Sequence, residues 1–486
     1  MMHTREPLAF RTCVIGAWLS LGFALYLTLL PFEFGEVSLE EAWSLYRDMS
    51  LQGPGTSGRA QFMANVMMFM PLGFFWMAWL THGRDGPVWR LGALALVALV
   101  GLATTATVEF LQVWLPYRHP AGADIAGNFL GAVVGALMWW GLRRPMLNWR
   151  SQLANPGRTT AIAVLIAYAI LYVVIGLAPF DLVLSTAEWS QRLGSSAWGL
   201  WVADGACTSG LRCISELGLT LAASVPVGIL LAYGLRRLPY ANWALLLTLA
   251  ALLATLLEAL NLATLSGIAE GRSAVLRGTG FIVGMLLYAY LSPRQAMHAL
   301  RRTALPLLVI AAPLYGAALL ALNHDLGPYH WDRDAVAAQW DQLNLWPFYY
   351  HYFVGETVAM RSAALHVAMY LPLGALIWLA QIRRPLDARR LQWLAALGAL
   401  LVALLVEGGK LLVVGLRPDP ASLVLAPAAA WTMAAILHFM THITIEPAAT
   451  GRRRVQPSAS APGLAARSTV NTERSQREQQ RDELQF

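Results

Sequence analysis

Residues 91–114 read LGALALVALVGLATTATVEFLQVW, and this stretch decides the fold. Positions 91–108 carry no charge, enough for about 27 Å of helix at roughly 1.5 Å per residue. A bilayer's hydrocarbon core is roughly 30 Å thick. Lipid offers no partner to a backbone amide, so an uncharged apolar block of this length must satisfy its own hydrogen bonds as a helix. Polar groups enter only at its end. Glu109 and Gln112, three residues apart, share one helical face.

The rest of the chain repeats the pattern. Hydrophobic residues make up 57% of the 486 positions and charged residues 13%, against about a quarter charged in an ordinary soluble domain. Mean hydropathy is +0.51. Apolar blocks fall at roughly 14–32, 61–80, 91–114, 124–141, 160–179, 214–235, 242–262, 274–291, 304–322, 362–381, 391–414 and 421–440. The expected fold class is an all-α polytopic membrane protein of about twelve transmembrane helices.

The formal charge of +7 does not point to nucleic acid, because of where the charge lies. Of the lysines and arginines every one but Lys410 is arginine, and most sit in short clusters on alternate connections: Arg5/Arg11, Arg84/Arg90, Arg143/Arg144, Arg236/Arg237, Arg301/Arg302, Arg383/Arg384 and Arg452/Arg453/Arg454. The connections between them are acidic, with Glu33, Glu36, Asp181, Glu188, Asp332 and Asp341. By the positive-inside rule the basic connections face the cytoplasm. The expectation is a bacterial inner-membrane protein with both termini cytoplasmic, an uncleaved first span, and no nucleic-acid partner. Residues 446–486 are polar and too poor in apolar residues to bury a core, so they read as a disordered cytoplasmic tail.

Internal repetition is visible in the landmarks. Pro-x-Gly interrupts the second, sixth and tenth blocks at Pro71/Gly73, Pro226/Gly228 and Pro372/Gly374. An arginine precedes each of these blocks: Arg59, Arg212 and Arg361. Glu109, Glu258 and Glu407 stand 149 residues apart, each with a polar partner three residues on: Gln112, Asn261 and Lys410. A unit with an even number of spans re-enters in the same orientation, so the expected organisation is three parallel four-helix repeats. The units are 1–150, 151–302 and 303–445, followed by the tail 446–486.

The first unit holds the fullest polar set. Arg59, Asn65, Glu109, Gln112, Arg118, Asp124 and Asn128 are all placed near the outer ends of its helices. An ionisable group within a span costs about 2.5–3.5 kcal/mol on insertion scales, so it needs a partner or a use. Arg118 is placed to neutralise Glu109 or Asp124. The set then binds a polar head group, moves a proton, or serves only as an ion-paired clip between helices. Where this unit has Asp124 and Asn128, the others have Ser273 and Arg277, then Ser422 and Ala426; Glu258 and Glu407 persist. His366 either faces Glu407 as a titratable pair or, as a lone histidine more often does, serves as a hydrogen-bonded packing residue. Cys207 and Cys213 lie six apart in an outer loop and either pair as a disulfide or remain thiols. No metal-ligand spacing and no cofactor motif occurs, so neither a metal nor a cofactor is expected. In the first outer loop Leu39, Ala42, Trp43 and Tyr46 share an apolar face, an interfacial anchor or a cover over the polar set.

Residues 65–73, NVMMFMPLG, with Glu109-Phe110-Leu111-Gln112, Arg118 and 124–131, DIAGNFLG, resemble the VanZ-like family. The resemblance covers about 14–141. It implies a cell-envelope role, of the kind connected with resistance to the glycopeptide teicoplanin or with surface glycopolymers. The implied partners are the lipid bilayer and an envelope lipid or glycopolymer intermediate. Three functions remain in play: a non-enzymatic factor binding a lipid-linked head group at the periplasmic side, an acid–base enzyme on an envelope lipid, and a transporter.

Overall fold

The computed structural model describes residues 8–445 apart from 51–52, 54, 56–57, 85, 117, 155–157, 179, 201–209, 236–242, 292, 325–328 and 330–331. The expected disordered tail, 446–486, and Cys207 lie outside the described residues. The protein is a polytopic all-α membrane protein. In chain order the helices are α1 Phe10–Leu29, α2 Leu39–Arg47, α3 Arg59–Leu80, α4 Pro87–Gln112, α5 Gly122–Ala154, α6 Arg158–Gly176, α7 Thr186–Leu193 and α8 Gly210–Gly234. They continue with α9 Trp243–Asn261, α10 Gly271–Tyr290, α11 Pro293–His324, α12 Arg333–Asp341, α13 Tyr349–Tyr352, α14 Glu356–Gln381, α15 Ala388–Lys410 and α16 Ser422–Ile445.

Eleven helices among the described residues are long and apolar enough to cross a membrane. The twelfth expected span, 160–179, corresponds to α6, whose described apolar stretch Ile162–Gly176 is shorter. The short helices cap themselves. Ser38 Oγ accepts from the Glu41 N–H at the start of α2, and Ser185 with Glu188 forms a reciprocal capping box on α7.

Long helices pack in fours along the chain. In the first group α3 runs along α5, with α1 against α3 and α4 against α5. In the second, α8 pairs with α10, flanked by α6 and α9; in the third, α14 pairs with α16, flanked by α11 and α15. The central pair touches backbone to backbone. A Cβ on Gly131 would run into the Val66 carbonyl, and one on Gly73 into that of Ala132. Gly228 stands in the same way against Phe281, and Gly374 against Ala430. Small residues at such crossings are what lets membrane helices gain van der Waals contact. The groups touch one another through α3 and α14, α5 and α6, and α8 and α11.

The connections at one end share a strained turn. Phe32, Phe180 and Phe348 all have φ near +64 to +65°, a conformation a bulky residue adopts only when its surroundings hold it there. The first and third of these loops interlock: Phe32 packs on Trp346 at 5.4 Å between ring centres, and Tyr26 Oη donates to the Pro347 carbonyl at 2.8 Å.

Candidate functional site

Six of the seven residues expected in the first unit line one cavity. Asn65 projects from α3, Glu109 and Gln112 from the end of α4, and Asp124 and Asn128 from the start of α5. Arg118 comes from the turn between α4 and α5, and Leu27, Thr28, Gln61 and Met68 complete the wall. The cavity holds about 90 Å³.

Amides hold the carboxylate of Asp124. Asn65 Nδ2 donates to Oδ1 and Gln61 Nε2 to Oδ2, both at 2.8 Å. Gln112 Nε2 donates to the Thr28 carbonyl at 2.8 Å, tying α4 to α1. Asn128 Nδ2 donates to Thr105 Oγ1 at 3.0 Å, while its Oδ1 is buried with no hydrogen-bond partner. Glu109, 1% exposed, accepts the backbone N–H of Ala121 at 3.1 Å.

Arg118 shares the cavity with Glu109 and Asp124 and acts on Glu109 through its charge, without an ion pair between them. Its guanidinium lies over the Tyr352 ring, 4.8 Å from the centre, and its Nε is buried without a hydrogen bond. Asp124 already has its two amide donors, and Tyr352 reaches in from α13 of the third group to offer a cation–π face. Arg59 leaves the cluster altogether. It forms a two-pronged pair with Glu188 on α7, both arms at 2.9 Å, and also donates to the Leu182 carbonyl at 2.8 Å. Glu188 is held down to about 2, first by the Arg59 hydrogen bonds and then by the Leu184 backbone N–H. Arg59 thus joins the first group to the second.

Gln61 and Thr28 escaped the sequence reading. Gln61 stands four residues before Asn65, on the same helical face, which was the available signal. Thr28 contributes a carbonyl, which no sequence pattern marks.

The later glutamates keep the backbone bond and add a cation. Glu270 N–H donates to Glu258 at 3.4 Å and Asp419 N–H to Glu407 at 2.7 Å, each twelve residues on, as Ala121 does for Glu109. Arg277 Nε sits 3.0 Å from Glu258, and Lys410 Nζ 2.9 Å from Glu407. Ser422 Oγ donates to Glu407 at 2.7 Å. His366 does not face Glu407, whose oxygens are taken by these groups; its Nε2 stands 3.8 Å from Asp419 Oδ2. At the corresponding places the first group has neutral amides, Gln112 for Lys410 and Asn128 for Arg277. Among the described residues, then, the first glutamate has no cation in contact.

A cover lies over this end. On α2, Ala42 is buried, and Trp43 and Tyr46 pack on Phe110 at 6.0 and 5.4 Å between ring centres. The Tyr46 hydroxyl is pushed up, first by burial and then by the charge of Glu109, so it stands within electrostatic reach of the cavity.

No curated protein and no solved structure matches the chain. Residues 12–144, the stretch that contains every lining residue of this cavity from Leu27 to Asn128, match the VanZ/LLP1 family model.

Proposed function

We propose that the Glu109 cavity binds one polar end of an envelope lipid or lipid-linked glycopolymer intermediate, at the periplasmic leaflet of a bacterial inner membrane. The observation that carries this reading is the carboxylate itself. Glu109 is as buried as Glu258 and Glu407, yet it has neutral amides at the two places where the others have a cation in contact, and Arg118 acts on it within the cavity without an ion pair. A buried carboxylate is costly to leave unpaired, and a ligand supplying hydroxyl or amide N–H donors would satisfy it and the bare Asn128 Oδ1 together.

Size supports a grip on a fragment. About 90 Å³ is room for roughly three waters at ~30 Å³ each, enough for a hydroxymethyl or an amide and too little for a whole sugar. The remainder of such a ligand would lie along α2. Transport is the weaker reading. A cavity of about 320 Å³ lined by Arg90, Arg143 and Arg144 shares no lining residue with the Glu109 cavity.

In this reading the chain is three tandem copies of one unit, of which only the first retains a site. The recurring glutamate-to-backbone bonds, glycine crossings and left-handed phenylalanines support that view. The test is Glu109→Gln in a deletion strain, assayed for envelope-drug sensitivity and surface polysaccharide at matched protein level. The reading expects the deletion phenotype, and wild-type behaviour would remove the carboxylate from any essential role.

A further inference from the structure

The loop that brings Tyr352 to Arg118 also builds a second constellation. His351 on α13, His366 on α14 and Asp419 before α16 are separated by 15 and 53 residues, so no spacing in the sequence announces them. In the fold one ligand atom from each lies within 4.8 Å of the other two. His351 Nδ1 is 3.7 Å and His366 Nε2 3.8 Å from the same oxygen, Asp419 Oδ2.

Those separations are too long for hydrogen bonds. They approach the ~3.3 Å between neighbouring ligands of a tetrahedral ion with bonds of about 2.0–2.1 Å. Both ring nitrogens of His351 are buried with no hydrogen-bond partner, a costly arrangement unless something sits between the groups.

The surroundings orient each ligand. His366 Nδ1–H donates to the Ser362 carbonyl at 2.8 Å, which leaves the Nε2 lone pair directed at the gap, as in the supporting shell of metal-bound histidines. Asp419 Oδ1 accepts the Ala421 N–H at 3.0 Å, and this leaves Oδ2 for the histidines. Asp419 also forms part of the wall of an open cavity of about 910 Å³, which gives an ion and a fourth, exchangeable ligand a way in.

We infer that His351, His366 and Asp419 form a site for a divalent transition-metal ion of the zinc class, with one position left to water or a small ligand. Imidazole with carboxylate suits zinc and its neighbours in the transition series, whereas oxygen-only sets suit magnesium and calcium. The ion would tie α13 to α14 and the start of α16. Tyr352, the next residue after His351, would then be fixed over Arg118 at the wall of the first cavity. The inference does not depend on what that cavity binds.

The test uses the full chain, purified in detergent through a histidine-free tag, stripped with a chelator and titrated with Co²⁺, then Zn²⁺. The site predicts one Co²⁺ per chain, a visible absorption band of four- or five-coordinate nitrogen–oxygen ligation, and displacement by Zn²⁺. His351→Gln, His366→Gln and Asp419→Asn should each weaken binding by at least about tenfold, while the metal-free variants melt as the metal-free wild type does. Only the spectrum of aquated six-coordinate Co²⁺ in the wild type would overturn the site without reference to any variant. So would a bound ion that all three substitutions leave in place.

Discussion

The backbone N–H of Ala121 donates to Glu109 Oε2 at 3.1 Å, and the same bond recurs from Glu270 to Glu258 and from Asp419 to Glu407. One turn thus recurs with three different electrostatic complements: none in contact, Arg277, and Lys410. The contrast makes the third turn a measure of what an internal cation is worth. Lys410→Met leaves Glu407 buried without its partner, and breaking a buried pair from one side costs about 3–5 kcal/mol. Thermal unfolding in nanodiscs should show a loss of that size, and an unchanged midpoint would mean that Ser422 and the Asp419 N–H suffice.

The reverse substitution addresses the first turn. Gln112→Lys places a cation three residues from Glu109, the arrangement Lys410 has with Glu407. The expected result is a chain at least as stable as the wild type with the envelope phenotype of the deletion, read by growth on envelope-active drugs. Retained function would show that the site tolerates an internal cation, against its proposed role as a site for a neutral polar group.

Arg59 and Glu188 should act as a pH-sensitive tie between the first two helix groups. The folded carboxyl titrates at about 2, below its ordinary value of 4.5. A depressed carboxylate stabilises the fold above its unfolded value, and the contribution disappears as pH falls through the folded one. Glu188→Gln should therefore flatten the part of the wild type's stability loss that falls between about pH 5 and 2, as followed by thermal melting, and should leave stability at neutral pH lower than in the wild type. Identical acid limbs in both proteins would remove the pair from any linking role.

The α3–α5 crossing has no room for a side chain at Gly131. Gly131→Leu forces the helices apart, and overpacking of this kind costs about 1–3 kcal/mol or more. The yield of folded protein after detergent extraction should fall. Gly92, which has open space where a Cβ would stand, is the matched control, and Gly92→Ala should be silent.

Much of this was legible in the sequence because lipid restricts the choices. Span length, the arginine clusters and the 149-residue glutamate interval follow from hydropathy and spacing alone. The first cavity was also largely legible, since Glu109 and Gln112 share a face by periodicity, as do Asp124 and Asn128. Arg59 was misplaced for the same geometric reason that Gln61 was overlooked. Six residues separate Arg59 from Asn65, about 240° around a helix at ~100° per residue, whereas Gln61 lies four residues away, within about 40° of the same direction. Arg118 was placed in the cavity, but its stacking on Tyr352 could not be read because that ring comes from more than two hundred residues downstream. The meeting of His351, His366 and Asp419 was invisible for the same reason, and sequence reading expected no metal there.

The role of Glu109 as a functional carboxylate is tested most directly by the envelope-drug sensitivity of a deletion strain carrying Glu109→Gln beside one carrying Glu258→Gln. The glutamine retains the size and can still accept the Ala121 N–H, so the fold should survive. Glu109→Gln should behave as the deletion while Glu258→Gln complements it, both at wild-type protein level. Full complementation by Glu109→Gln would contradict that role.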